Sequence, residues 1–226
     1  MVVTDGVCAG CGRPAPLAAY VALVRRHAGL LVLDDTQGLG LRGMPDTDME
    51  YGRGGGGSLW AEEIGGPDIV VGSSLAKAFG APLAVLTGDG PLMTRFERES
   101  EVRARCSPPS AAAIQAAASA LSINAERGDA LRDGLALRVG RFRDAAEDAG
   151  LRLMEGRFPF QRLTLPGAVD LRAAHRRLRD EGLRCVLQVS GCDRRTSLGF
   201  LITVAHGESD IDQAIERLAR CARGDT

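Results

Sequence analysis

Asp68-Ile69-Val70-Val71-Gly72-Ser73-Ser74-Leu75-Ala76-Lys77 is a short branched apolar run that gives way to a glycine and two serines and ends on an amine. A continuous run such as Ile69-Val70-Val71 marks a strand buried on both faces, the habit of parallel sheets. Two similar runs flank it in sequence, Leu30-Leu31-Val32-Leu33 and Leu83-Ala84-Val85-Leu86. Ahead of them Leu17, Tyr20, Val21 and Val24 recur at helical spacing, with Gly29 placed to stop that helix. Strands alternating with helices imply an α/β fold built on a mainly parallel sheet.

The amine is the only one on any side chain. Lys77 is the sole lysine among 226 residues, against 27 arginines. Arginine stays charged in proteins, whereas a lysine can lose its proton, attack a carbonyl and form a Schiff base. Codon bias toward arginine also leaves few lysines, so the count alone decides nothing. Position adds more. Asp34 closes the run 30–33 and Lys77 follows the run 69–71, so both fall at carboxyl ends of strands, the edge where open α/β sheets bind ligands. An acid and an amine on that edge make the pair that pyridoxal 5′-phosphate chemistry requires, one for the ring nitrogen and one for the aldehyde. Ser74, just before the lysine, can donate its hydroxyl to a phosphate; an ordinary turn serine bonding its own backbone is the competing reading.

The bulk properties remove other classes. A formal net charge of −1 gives no sign of a nucleic-acid partner. No signal peptide, transit peptide or membrane span is legible, so a cytoplasmic protein is expected. Six cysteines in a chain of this length do not form the disulfide framework of a small secreted domain. Cys8-Ala9-Gly10-Cys11 has the spacing of a redox pair or half a zinc site, but there is no second such motif and His27, His175 and His206 lie far apart, so no metal is assigned.

Along the chain, Arg53-Gly54-Gly55-Gly56-Gly57-Ser58 is too rich in glycine for a regular element; it is either a flexible connection or a loop whose backbone approaches a ligand. Ser107-Pro108-Pro109-Ser110 marks a break, with Ser110 able to cap a helix over 111–122. A second helix is expected over 130–149, ending at Gly150. The remainder reads as a small α+β unit with strands near 161–165, 185–189 and 200–204 and helices near 169–180 and 210–222. Trp60, the only tryptophan, is expected to pack.

Leu33-Asp34-Asp35-Thr36-Gln37-Gly38-Leu39-Gly40, followed by Gly52-Arg53-Gly54, the stretch from Asp68 to Gly72 and Ser74-Leu75-Ala76-Lys77, resembles the fold-type I pyridoxal phosphate enzymes of the class I/II aminotransferase superfamily. Within it the order is closest to the α-oxoamine synthase group, to which 8-amino-7-oxononanoate synthase belongs. The resemblance implies the carboxyl-terminal part of a large α/β domain over 1–106, connecting helices over 107–150 and a small α+β domain over 151–226. It implies Lys77 as the Schiff-base lysine, and Asp34, Gln37, Ser74 and Ser107 as cofactor contacts, Gln37 toward the phenolic oxygen and Ser107 toward a phosphate of the neighbouring subunit. It further implies a small amino substrate, condensed with acyl-CoA or transaminated, and a homodimer.

Three positions depart from that pattern. Gln37 stands where the family has a histidine, Ala9 where a serine touches the cofactor, and Gly199 where an arginine binds the substrate carboxylate, with Arg194 or Arg195 as substitutes from the preceding loop. Members of the group are also longer, beginning with about half a large domain that has no counterpart in this sequence. An alternative expectation follows: a truncated or degenerate subunit, inactive alone and needing an upstream segment or a partner chain.

Overall fold

The structure, a computed structural model, describes residues 1–165, 170–189, 191–192 and 194–223. These fall into two compact units, one formed by Met1–Cys8 and Pro14–Ala130, the other by Ala9–Arg13 and Leu131–Thr226. The elements in chain order are β1 (Val2–Asp5), α1 (Leu17–Arg26), β2 (Leu31–Asp34), α2 (Ser58–Ala61), β3 (Ile69–Ser74), β4 (Ala84–Thr87), α3 (Gly90–Glu99), α4 (Glu101–Arg105), α5 (Ala111–Asp148), β5 (Arg152–Leu153), β6 (Phe160–Thr164), α6 (Leu171–Asp180), β7 (Val186–Val189), β8 (Thr196–Leu201) and α7 (Glu208–Arg223). The first unit carries a sheet of order β1-β2-β3-β4, the second a sheet of order β5-β6-β8-β7.

All three apolar runs form strands, but the run 83–86 departs from the expectation of a strand buried on both faces: β4 lies at the sheet edge with Ala84 and Leu86 exposed. β1, β2 and β3 pair in parallel, with Asp5 opposite Asp34 and Asp34 opposite Gly72. β4 runs antiparallel to β3, so the sheet is mixed. Leu31 and Leu33 are fully buried, and α1 covers that face with Val21 and Val24 against Leu31 and Ile69. Fully burying each such side chain contributes about 1.5–3 kcal/mol.

The second unit is antiparallel throughout. Its core gathers Val139, Phe142 and Ala146 from α5 with Leu163, Leu198 and Phe200 from the strands and Leu178, Ile215 and Leu218 from α6 and α7. Phe142 and Phe200 meet with ring centroids 5.7 Å apart, within the range of favourable aromatic pairs.

Four further expectations need correction. One helix, α5, replaces the two expected over 111–122 and 130–149; Gly128 lies inside it, a tolerable cost of about 1 kcal/mol that tertiary packing overrides. The last strand is β8, ending at Leu201 instead of 204, because Thr203 and His206 close a turn. There the Thr203 N–H donates to His206 Nδ1 at 3.1 Å and the His206 N–H donates to the Thr203 carbonyl. Trp60 is half exposed, its ring lying over Gly56 rather than in the core. α3 and α4 are not expected from the pattern, and neither buries a residue. α6 begins at Leu171, capped by Asp170 accepting from the Arg172 amide; the expected start at 169 lies outside the described residues.

Candidate active site at the carboxyl edge of the parallel strands

Asp34, the last residue of β2, is exposed, and its Oδ1 accepts the Thr36 amide at 2.9 Å. The Thr36 hydroxyl oxygen in turn accepts the Ser74 amide at 3.0 Å, and Ser74 Oγ accepts the Ala76 amide at 3.4 Å. A relay of polar bonds therefore runs from the acid at the end of β2 to the turn that carries Lys77. Thr36 is its middle member, and nothing in the sequence pattern singles it out.

The lysine turn is itself pinned. Leu75 is buried against Ala81 and Ala117, donates its amide to the Leu83 carbonyl at 2.8 Å, and accepts the Phe79 and Ala81 amides at its own carbonyl. Lys77 sits exposed between these anchors, its amine projected from a fixed backbone.

Beneath the edge lies Asp35, the residue after β2. It is buried, and its two oxygens accept the Ser58 amide at 2.7 Å and the Ser58 hydroxyl at 2.6 Å. Burial raises its pKa above the ordinary carboxylate value, a rise that the two Ser58 hydrogen bonds oppose. Gly6, Gly38 and Gly57 wall the carboxylate so closely that a β-carbon on any of them would overlap it, and Gly57 also adopts φ +98°, a left-handed conformation that only glycine takes without strain.

The glycine-rich stretch 53–58 is consequently no loose connection. Ser58 is held by Asp35; the Gly54 amide donates to Asp129 Oδ1 at 2.7 Å and the Gly54 carbonyl accepts from Asn124 at 3.1 Å. Arg53 pairs with Asp46.

Of the residues picked out in sequence, the structure links Asp34 and Ser74 through Thr36 and seats Lys77 three residues beyond Ser74. Gln37 is half-buried in the turn after β2. Ser107 is exposed in the stretch between α4 and α5. Gly199, on β8, lies under the Phe160 ring, which occupies the space a side chain there would need; Arg194 and Arg195 are both exposed.

The donor set suits pyridoxal 5′-phosphate: a carboxylate for a protonated ring nitrogen, an amine for an aldehyde and a hydroxyl for a phosphate. Such a set on a mixed α/β sheet fits the fold of pyridoxal phosphate–dependent enzymes. Known proteins agree. The family profile described as aminotransferase class I and II matches residues 1–218, and the chain belongs to that family. It is similar to the 8-amino-7-oxononanoate synthase of Thioalkalivibrio sulfidiphilus, 30% identical over an alignment of 227 residues that covers 99% of this chain and 55% of the relative. It is also similar to that of Geobacter sulfurreducens, 32% identical over 233 residues, 99% of this chain and 56% of the relative. Among solved structures, Sphingomonas wittichii serine palmitoyltransferase superposes with a TM-score of 0.82 at 18% identity, over 99% of this chain and 55% of that one. The 8-amino-7-oxononanoate synthase of Francisella tularensis gives 0.77 at 18% identity, over 100% and 63%. The chain thus spans about half the length of the curated relatives it matches. Among the described residues no helix is long and apolar enough to cross a membrane.

Proposed function

We propose that this chain carries the cofactor-holding edge of an oxoamine synthase-like enzyme, one that joins an amino acid to the acyl group of an acyl-CoA. The observation that supports it most is the Asp34–Thr36–Ser74 relay, which fixes a carboxylate and the lysine turn relative to each other on one strand edge. Pyridoxal phosphate supplies an electron-withdrawing ring that stabilises negative charge on the carbon bonded to the substrate nitrogen. Asp34 keeps the ring nitrogen protonated. Lys77 Nζ would hold the aldehyde end, and the same amine would serve as the base for the proton on the substrate's α-carbon. Ser74 Oγ donates to the phosphate, Gln37 donates its side-chain amide to the phenolic oxygen but cannot act as an acid or base, and Ser107 reaches a phosphate in a partner subunit of a homodimer.

Similarity to 8-amino-7-oxononanoate synthases favours condensation with an acyl thioester over transamination. The substrate carboxylate needs a cation other than one at position 199, since Phe160 fills that space.

Visible absorption of the purified chain with pyridoxal phosphate, followed by borohydride reduction and peptide mapping, tests this reading. A yellow band and cofactor fixed on Lys77 are expected; cofactor fixed only on the terminal amine, or nowhere, would refute the assignment for the chain alone. A second reading rests on β1, an edge strand whose Val3 is 67% exposed. An open apolar edge invites another strand, so the site would assemble only with further polypeptide paired there. Cofactor fixation that appears only when an amino-terminal half from a relative is supplied in trans would support that reading.

A further inference from the structure

We infer that Cys11 and Cys192 form a dithiol–disulfide site in the second unit, one that a small-molecule disulfide oxidises. The sequence motif pairs Cys11 with Cys8; the structure also sets Cys11 against a residue 181 positions away, the Cys192 thiol donating to Cys11 Sγ at 3.6 Å. Sulfur atoms in a disulfide are about 2.05 Å apart, so the pair must close by roughly 1.5 Å. Both residues stand in turns, and Cys11 is followed by Gly12 at φ +71°, so neither is locked into a helix or strand.

The segment bearing Cys11 is docked on the small sheet by side chains. Buried Arg162 donates to the Gly10 carbonyl at 3.1 Å while also donating to Ser197 Oγ at 3.0 Å, and Gln188 donates to the same Gly10 carbonyl at 3.3 Å. Cys11 is therefore presented to Cys192 from an anchored backbone segment.

A cation completes the setting. Arg13 Nε donates to Cys11 Sγ at 3.5 Å, and a neighbouring guanidinium favours the thiolate that attacks disulfides. Cys192 is exposed, open to a reagent from solvent. The other cysteines of the unit contrast with this pair, since burial pushes the Cys185 thiol up to about 11 and raises Cys221 as well.

The chemistry balances with a disulfide RSSR as oxidant. Cys11 thiolate attacks one sulfur of RSSR, forming a Cys11–SR bond and releasing one RS⁻. Cys192 thiolate then attacks Cys11 Sγ and displaces the second RS⁻. The two protein thiol protons leave with two RSH. A dithiol reductant reverses both steps.

Incubation of the full chain with oxidised glutathione, then thiol counting after denaturation and non-reducing peptide mapping, tests this. Titratable thiols are expected to fall from six to four, with a mass loss of about 2 Da, and dithiothreitol should restore all six. The Arg13–Pro14 bond resists trypsin, so the linked peptides are residues 1–25 and 185–194, each holding two cysteines. Variants resolve them: the crosslink survives in the Cys8→Ser/Cys185→Ser double variant and is lost in Cys11→Ser and in Cys192→Ser. Six titratable thiols after oxidation, a Cys8–Cys11 link, or glutathione retained on Cys11 in the parent chain would each overturn the proposal. The readout uses no cofactor and no enzymatic activity, so it stands apart from the function proposed above.

Discussion

Replacing Asp35 with alanine removes the acceptor of two buried hydrogen bonds at once. The Ser58 amide and hydroxyl, now bonded at 2.7 and 2.6 Å, would lose their partner in a site where Ser58 has no exposed surface. A buried donor stripped of its acceptor costs about 1–3 kcal/mol, so the pair together accounts for roughly 2–6 kcal/mol. The void left by the carboxyl adds to this, since the glycine walls carry no side chain that could collapse into it. We expect Asp35→Ala to lower unfolding free energy by about 4 kcal/mol, a large fraction of the 5–15 kcal/mol typical of a domain. Asp35→Asn keeps one carbonyl acceptor and should cost about half as much. Urea titration followed by the emission of Trp60, two residues beyond Ser58 in α2, reads this region directly. An alanine variant within about 1 kcal/mol of the parent, or an asparagine variant as damaged as the alanine one, would show that the Asp35–Ser58 pair does not hold the loop together.

The same carboxyl gives a pH signature. Because burial raises its pKa in the folded state above 3.8, the unfolded chain loses that proton first as pH rises, and the contribution is fully present below 3.8 and lost as pH climbs through the folded value; the stability advantage of the parent over Asp35→Asn should therefore shrink from acid toward neutral pH. Thr36→Val cuts the relay and leaves the Ser74 amide without its acceptor, costing about 1–2 kcal/mol in urea titrations and slowing borohydride fixation of pyridoxal phosphate on Lys77; fixation at the parent rate would mean that the relay does not orient the lysine turn. Phe142→Ala opens the core of the second unit beside Phe200 and should cost about 3–5 kcal/mol by circular dichroism melts. Iodoacetamide at pH 8 should label Cys192 well before Cys185, whose thiol burial holds near 11; equal rates would contradict that burial.

Strand ends were the legible part of this molecule. Asp34 and Lys77 stand out because each follows an unbroken apolar run, and parallel pairing puts the ends of such runs on one edge. Thr36 leaves no comparable trace, since a threonine in a turn is ordinary until its hydroxyl is seen to take the Ser74 amide across 38 positions. Asp35 and Ser58 are separated by 23 positions, and only the folded chain brings them together. The length of α5 escapes a reading by punctuation because Arg127-Gly128-Asp129 resembles a break, while packing on both sides of it keeps the helix continuous. Similarly, α3 is amphipathic in composition yet buries nothing, so no core position announces it.

The lone exposed lysine has a use beyond chemistry. An endoprotease specific for lysine can cut this chain at a single peptide bond, separating residues 1–77 from 78–226. Anything that covers or modifies Nζ protects that bond, so the ratio of intact chain to two fragments on a gel reports the occupancy of the site. Amine-directed probes share this selectivity, because Lys77 is the only side chain they can reach. One residue thus makes the protein its own footprinting reagent, with a one-cut digest in place of a spectrum.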